Sequence, residues 1–231
     1  GLKTALIENR ELGGTCLNRG CIPTKTILHS ADLYAEMKHS ELFGIHAENI
    51  NCDMAAVQTR KADVVHQLRS GIQALMKKNK VTVIQGEGSV KEGKIVSVNG
   101  PEGVVEYGAD HIILATGARP NSLPFAPIDG EKIISYFQAL VPEKLPKSLA
   151  IIGSGAIGSE FAFFYKSMGV EQVHLIEYVD RIVPLEDDEV SAQLSRSFRK
   201  MGIKVLVSAQ VQGVDTTGEL CKETVQTKKD V

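Results

Sequence analysis

Leu149-Ala150-Ile151-Ile152-Gly153-Ser154-Gly155-Ala156-Ile157-Gly158 reads as a short apolar strand running into a glycine turn, and Ser159–Met168 behind it reads as a helix that Gly169 ends. Four consecutive apolar residues with no polar alternation suit a parallel strand covered on both faces. The glycines stand at G-x-G-x-x-G spacing, and each has a separate task. Gly153 permits the tight turn, Gly155 lets backbone approach a pyrophosphate, and Gly158 lets helix pack closely on sheet. The positive end of a helix over Ala156–Met168 then faces that pyrophosphate. Val173-His174-Leu175-Ile176-Glu177 is the next strand, and Glu177 lies 24 residues after Gly153, near the ~20 expected of an acid that accepts ribose hydroxyls. A carboxylate there repels a 2′-phosphate, which favours NAD over NADP. The competing reading is a glycine turn followed by an incidental surface glutamate.

Working outward from this unit, Asp188–Met201 reads as an amphipathic helix and Lys204–Val207 as a strand. Beyond Gly218 the chain is polar, with Lys222, Lys228 and Lys229, and is expected to be a frayed tail. Toward the N-terminus, Ala118–Leu145 is irregular and rich in proline (Pro120, Pro124, Pro127, Pro142), and its end is taken as a linker. The expected division is therefore a first domain over 1–145 and a second over 146–231. Within the first, His111–Gly117 reads as a buried strand entering a tight turn. Val81–Gln85, Lys94–Val98 and Gly103–Tyr107 read as short strands separated by glycine-rich turns, and a small antiparallel β meander is expected beside the two domains. Helices are expected from about Pro23 to Met37 and from about Ala55 to Lys78, the latter with Val64, Leu68, Ile72 and Leu75 at helical spacing.

Thr4-Ala5-Leu6-Ile7-Glu8 looks like a copy of the Glu177 strand: an apolar run closed by an acid. Both fit buried parallel strands whose last residue reaches solvent. Glu8 thus resembles a ribose-binding acid, yet a strand, glycine turn and helix of ~30 residues cannot fit before it. The class expected is α/β, with two Rossmann-like domains of which the first is incomplete.

The chain has 231 residues, enough for one large or two small domains, and its 43% hydrophobic and 23% charged residues exclude a disordered chain. Lys and Arg number 26 against 28 Asp and Glu, so no broad positive field points to nucleic acid or an anionic membrane as the main partner. No apolar run approaches the ~18 residues of a bilayer span, and the start, Gly1, resembles neither a signal nor a transit peptide.

Cys16, Cys21, Cys52 and Cys221 are too sparse for a secreted disulfide scaffold. Cys16 and Cys21, however, sit within Gly13-Gly14-Thr15-Cys16-Leu17-Asn18-Arg19-Gly20-Cys21-Ile22-Pro23-Thr24-Lys25. Gly20 and Pro23 suit a turn entering a helix, where the dipole favours a thiolate, and Lys25 adds positive charge. This describes a redox-active dithiol in which one thiol attacks and the other resolves. Two alternatives stand beside it: an inert cysteine pair, or half a zinc site, for which Cys52, His46 and His66 supply no suitable ligand spacing.

The Gly13–Lys25 stretch resembles the redox-disulfide signature of the flavin-dependent pyridine nucleotide-disulfide oxidoreductases, most closely the members that oxidise dihydrolipoamide. Gly86-Glu87-Gly88, Ala115-Thr116-Gly117-Ala118-Arg119-Pro120 and Gly153–Ala162 fit the same pattern in register, and the likeness fades after about Gly218. Arg19 departs from it, since Val is frequent there. The resemblance implies FAD between the dithiol and a nicotinamide, with Cys16 as the interchange thiol and Cys21 against the flavin as the charge-transfer thiolate. It further implies Lys25 near the flavin N5, paired with Glu160, and Glu8 on the FAD ribose. Gly14, Thr15, Gly88, Thr116, Gly117 and Ala118 would line FAD. Gly153, Gly155, Ala156, Ile157, Gly158, Glu160, Glu177 and Val211 would line NAD. Dihydrolipoamide on a lipoyl domain of a 2-oxoacid dehydrogenase complex would be the partner, with homodimerisation through a further C-terminal domain. The compartment would be bacterial cytoplasm or mitochondrial matrix.

Neither the family's N-terminal glycine fingerprint nor its catalytic His, followed five residues later by Glu, is found in these residues. The expectation is the middle of a longer enzyme. Glutathione or mercuric reductase-like chemistry, or a catalytically incomplete NAD-binding fragment, remain the alternatives.

Overall fold

The structure, a computed structural model, describes residues 1–227. The chain forms two compact units: Gly1–Pro23 with Arg60–Arg119, and Thr24–Thr59 with the chain from Pro120 onward.

In the first unit, β1 (Ala5–Glu8) lies parallel to β2 (Thr82–Gln85), with Glu8 opposite Gln85. α1 (Gly14–Arg19) follows β1, and Gly20 separates it from α2 (Cys21–Lys38), which belongs to the second unit from Thr24 onward. α3 (Met54–Lys78) starts in the second unit, where Asp53 Oδ1 accepts from the Ala55 and Ala56 amides and satisfies donors that the first turn leaves open, and it runs into the first unit at Arg60. β3 (Glu87–Lys91), β4 (Ile95–Gly100) and β5 (Gly103–Gly108) form the antiparallel meander. The apolar stripe expected on α3 is only partly covered: Val65 and Lys61 are its buried residues, and Leu68 and Leu75 are exposed.

In the second unit, α4 (Tyr136–Ala139) is a single turn closed by a capping box between Ser135 and Gln138. β6 (Ser148–Ile152), β7 (Gln172–Ile176) and β8 (Ile203–Leu206) make a parallel sheet in the order β6-β7-β8. α5 (Ala156–Ser167) crosses from β6 to β7, and α6 (Asp188–Lys200) from β7 to β8. Asp187 caps α6, acids occupy its first turn and Arg199 and Lys200 its last, which suits the helix dipole at both ends. The core gathers Phe161, Phe164 and Tyr165 of α5, Val173 and Leu175 of β7, and Ile27 and Ala31 of α2. β9 (Ala209–Asp215) and β10 (Lys222–Thr227) close the described chain as an antiparallel hairpin.

Three expectations are corrected. His111–Gly117 is not a buried strand: it belongs to no ladder, and Ile113 and Leu114 are 91% and 72% exposed. Apolar composition suits a sheet interior, but a strand also needs a neighbour to complete its hydrogen bonds, and among the described residues β1 and β2 pair only with each other. The polar stretch after Gly218 is not a frayed tail through Thr227, because Lys222–Thr227 pairs with β9; Lys228 and Lys229 lie outside the described residues. Finally, the two acid-ended strands differ from the expected burial: β1 is largely exposed, and Glu177 after β7 is buried.

Candidate active site

The cysteine turn is built by α1 and α2 in succession. Cys16 lies on the first turn of α1, Cys21 heads α2, and the two form a disulfide with Cα atoms 4.7 Å apart. Gly20 makes the return possible, since a Cβ there would lie 3.1 Å from Cys16 Cα and from the Thr15 carbonyl. Both cysteines are exposed. Once reduced, Cys21 has the positive end of an 18-residue helix behind it, which favours its thiolate.

Lys25 stands one turn further along α2. In the second unit its Nζ meets Glu160 Oε1 of α5 at 2.5 Å, with the side chains 60% and 31% exposed. An ion pair this open contributes under about 1 kcal/mol to stability; its interest is that it joins two residues 135 positions apart that the sequence pairs only by resemblance.

The fingerprint turn has the geometry its spacing predicts. Gly153 adopts φ +99°, and its amide donates to Ile176 O at 2.8 Å, tying the turn to β7. Gly158 is pressed against that turn: a Cβ would sit 2.0 Å from the Gly153 carbonyl oxygen. Gly155 is the N-cap of α5, with nothing within 4 Å of where its Cβ would be and no side chain capping the helix. Backbone donors at that end are therefore open to an anion. A pocket of about 1020 Å³ in this unit is lined by Gly153, Gly155, Ala156, Ile157 and Gly158 together with β6.

Glu177 follows β7 directly and is 9% exposed. Its Oε2 accepts from the Ser154 amide at 2.8 Å and the Ser154 hydroxyl at 2.6 Å, and its Oε1 accepts from the Val179 amide at 3.1 Å. Burial raises its pKa, but the bonds from Ser154 and from the Tyr178 and Val179 backbone outweigh that and hold it below the usual glutamate value. Spacing alone missed Ser154, because the glycine template leaves its position open; a hydroxyl beside a helix start was the signal available.

The remaining sequence-derived residues fall in four places. Glu8 ends β1, its carboxylate accepting from the Arg10 amide at 2.8 Å, and Gly88 packs beside Ile7 of the same strand. Gly14 and Thr15 open α1. Thr116, Gly117 and Ala118 lie in the exposed segment outside any strand or helix, so no ladder gathers them with Glu8. Around both Gly14 and Gly117 the space a Cβ would take is empty, which leaves their backbone accessible to a ligand. Val211 of β9 is buried beside Ile176 and Ala209. Among the described residues, no three His, Cys, Asp or Glu side chains gather as a metal site.

A parallel sheet with a glycine-rich strand-to-helix turn and a separate disulfide turn at a helix head are the two features that mark the chain's class. The family model described as pyridine nucleotide-disulphide oxidoreductase matches residues 1–231, and the chain belongs to that family. Among curated relatives, a dihydrolipoyl dehydrogenase of Rhizobium etli is 45% identical, with 93% of this chain and 48% of the relative covered. A mitochondrial dihydrolipoyl dehydrogenase of Pisum sativum is 43% identical, covering 98% of this chain and 46% of the relative. The crystal structure of LpdA from Mycobacterium tuberculosis superposes with a TM-score of 0.88 at 27% identity, over 97% of this chain and 49% of that one. The chain thus spans about half the length of the relatives it matches.

Proposed function

We propose that the protein is an NAD-linked flavoprotein that oxidises dihydrolipoamide at the Cys16–Cys21 disulfide. The observation that carries this reading is that disulfide, exposed and standing at the head of α2. A substrate thiolate attacks Cys16 Sγ, the Cys16–Cys21 bond breaks, and Cys21 leaves as a thiolate that the helix end favours. The second substrate thiolate attacks the substrate sulfur of the mixed disulfide, closing the lipoamide ring and freeing Cys16. Both thiol protons go to solvent, and the electron pair lost by the substrate now resides in the cysteine pair.

FAD, when bound, supplies the two-electron relay from that pair to the nicotinamide. The residues assigned to hold it are Glu8, Gly14, Thr15, Gly88, Thr116, Gly117, Ala118 and Lys25, and the open backbone at Gly14 and Gly117 suits that use. NAD is assigned to Gly153, Gly155, Ala156, Ile157, Gly158, Glu160, Glu177 and Val211. The uncapped start of α5 takes its pyrophosphate, and Glu177 Oε1, engaged by one amide, accepts from the ribose. Residues 1–145 form the flavin portion and 146–231 the nicotinamide portion. A homodimer served by lipoyl domains, in bacterial cytoplasm or mitochondrial matrix, completes the assignment; no helix among the described residues is long and apolar enough to cross a membrane.

The test is to add NADH anaerobically to the purified yellow protein and count thiols. Two thiols should appear beyond those of Cys52 and Cys221, none should appear in Cys16→Ser, and dihydrolipoamide should reduce NAD in the reverse assay. A protein without flavin absorbance, or one gaining no thiols, overturns the reading. Turnover with glutathione but not dihydrolipoamide would replace its substrate.

A further inference from the structure

Between the two redox cysteines lies a side chain whose hydrogen bonds run to the start of α1 and to α3. Asn18 Nδ2 donates to Leu12 O and Gly14 O at 2.9 Å each and to Glu11 O at 3.4 Å. A single NH₂ thereby gathers three carbonyls from the segment that leads into α1, sharing its two hydrogens among them. On the other side, Asn18 Oδ1 accepts from Arg69 Nε of α3 at 2.9 Å. A guanidinium has no acceptor, so it fixes the amide's orientation: the oxygen must face Arg69, and the nitrogen is left for the carbonyls. A second strut runs beside the first, where Arg19 pairs with the Glu11 carboxylate and both side chains are half-buried. Arg19 is the residue that departs from the family pattern.

We infer that Asn18 and Arg69 are positioning residues for the redox pair: Asn18 on α1, anchored by Arg69 of α3, holds the turn in the shape that keeps Cys16 and Cys21 within bonding reach. The inference rests on the redox reading of that pair. When the disulfide opens, the covalent link is lost, and the backbone, this brace and the Arg19–Glu11 pair limit how far the sulfurs part. A turn tied at its start keeps each thiol at high effective concentration to the other, which favours the closed disulfide over the open dithiol. The brace therefore makes the couple more reducing.

The experiment equilibrates the intact protein with glutathione buffers, two glutathiones giving up two electrons and two protons as the disulfide becomes a dithiol. Rapid alkylation and mass spectrometry then read the state of Cys16 and Cys21. Asn18→Ala should shift the equilibrium toward the dithiol by roughly tenfold, the scale of one lost net hydrogen bond, which is about 30 mV more oxidising. Arg69→Ala should shift it roughly threefold and add little on top of Asn18→Ala, because one chain of bonds links the two. Arg69→Lys, which keeps a donor, should return the equilibrium most of the way to wild type. If Asn18→Ala does not fold, Arg69→Ala and Arg69→Lys decide alone. An unchanged equilibrium in Arg69→Ala, or fully additive effects, overturns the inference. Should NADH fail to reduce the wild-type pair while the glutathione titration behaves as stated, the proposed function falls and the brace stands.

Discussion

β1 and β7 carry nearly the same text, an apolar run closed by glutamate, and they end in opposite circumstances. β7 lies between β6 and β8 beneath α5, with Leu175 fully buried and Glu177 enclosed by Ser154. β1 has a single strand neighbour, and its Leu6 is 38% exposed. The pattern in the sequence specifies extended backbone and a terminal acid, but burial comes from flanking strands and helices that the pattern does not contain. The same holds at the functional level: Glu177 is locked to a neighbouring turn, whereas Glu8 is held by the Arg10 amide two residues on.

Matched truncations should widen this contrast. Leu175→Ala empties a fully buried site and should cost about 2–5 kcal/mol, read by denaturant unfolding, against about 1 kcal/mol for Leu6→Ala in its half-open strand. Equal costs would break the comparison. Next in size, Gly158→Ala drives a methyl toward the Gly153 carbonyl and should cost about 3 kcal/mol of overpacking, while lowering NAD-dependent thermal stabilisation, measured by calorimetry. Glu177→Gln removes the charge from three bonds and should cost about 1–2 kcal/mol near neutrality. Because the folded pKa of Glu177 lies below its ordinary value of 4.5, its contribution is present above that value and is lost as pH falls through the folded one. The difference in Tm between wild type and Glu177→Gln should therefore close in acid. Smallest of all, Glu160→Gln opens a partly solvated ion pair and should move stability by under about 1 kcal/mol, so any large change in flavin reduction by NADH would belong to chemistry and not to folding.

What could be read before the structure was local. The β6–α5–β7 unit, the tight turn at Gly153 and the close packing at Gly158 were legible because strand, turn and helix are contiguous, and Gly158 needs no distant partner to be explained. The cysteine turn was legible for the same reason. α1 was not, since its six residues are enclosed by glycines. β3 was hidden by Gly86 and Gly88, which read as turn residues although Glu87–Lys91 pairs with β4. β10 was hidden by its polarity, because a two-stranded hairpin needs little apolar text when one face is solvated. His111–Gly117 failed in the other direction, its apolar text promising a ladder that the described chain does not provide. At the site, the Lys25–Glu160 pair and the Arg69–Asn18 bond span 135 and 51 residues. No spacing rule reaches so far, and the first was anticipated only through resemblance.

Ser154 and Glu177 fasten the glycine turn to the end of β7 by two short bonds within the protein itself. The loop is thus ordered as part of folding, and a nucleotide meeting it has little backbone disorder left to quench. Association should then follow a single bimolecular phase governed by encounter, without a slower unimolecular rearrangement. Ser154→Ala would loosen the loop and show its effect as lag and lost entropy at an unchanged set of ligand contacts.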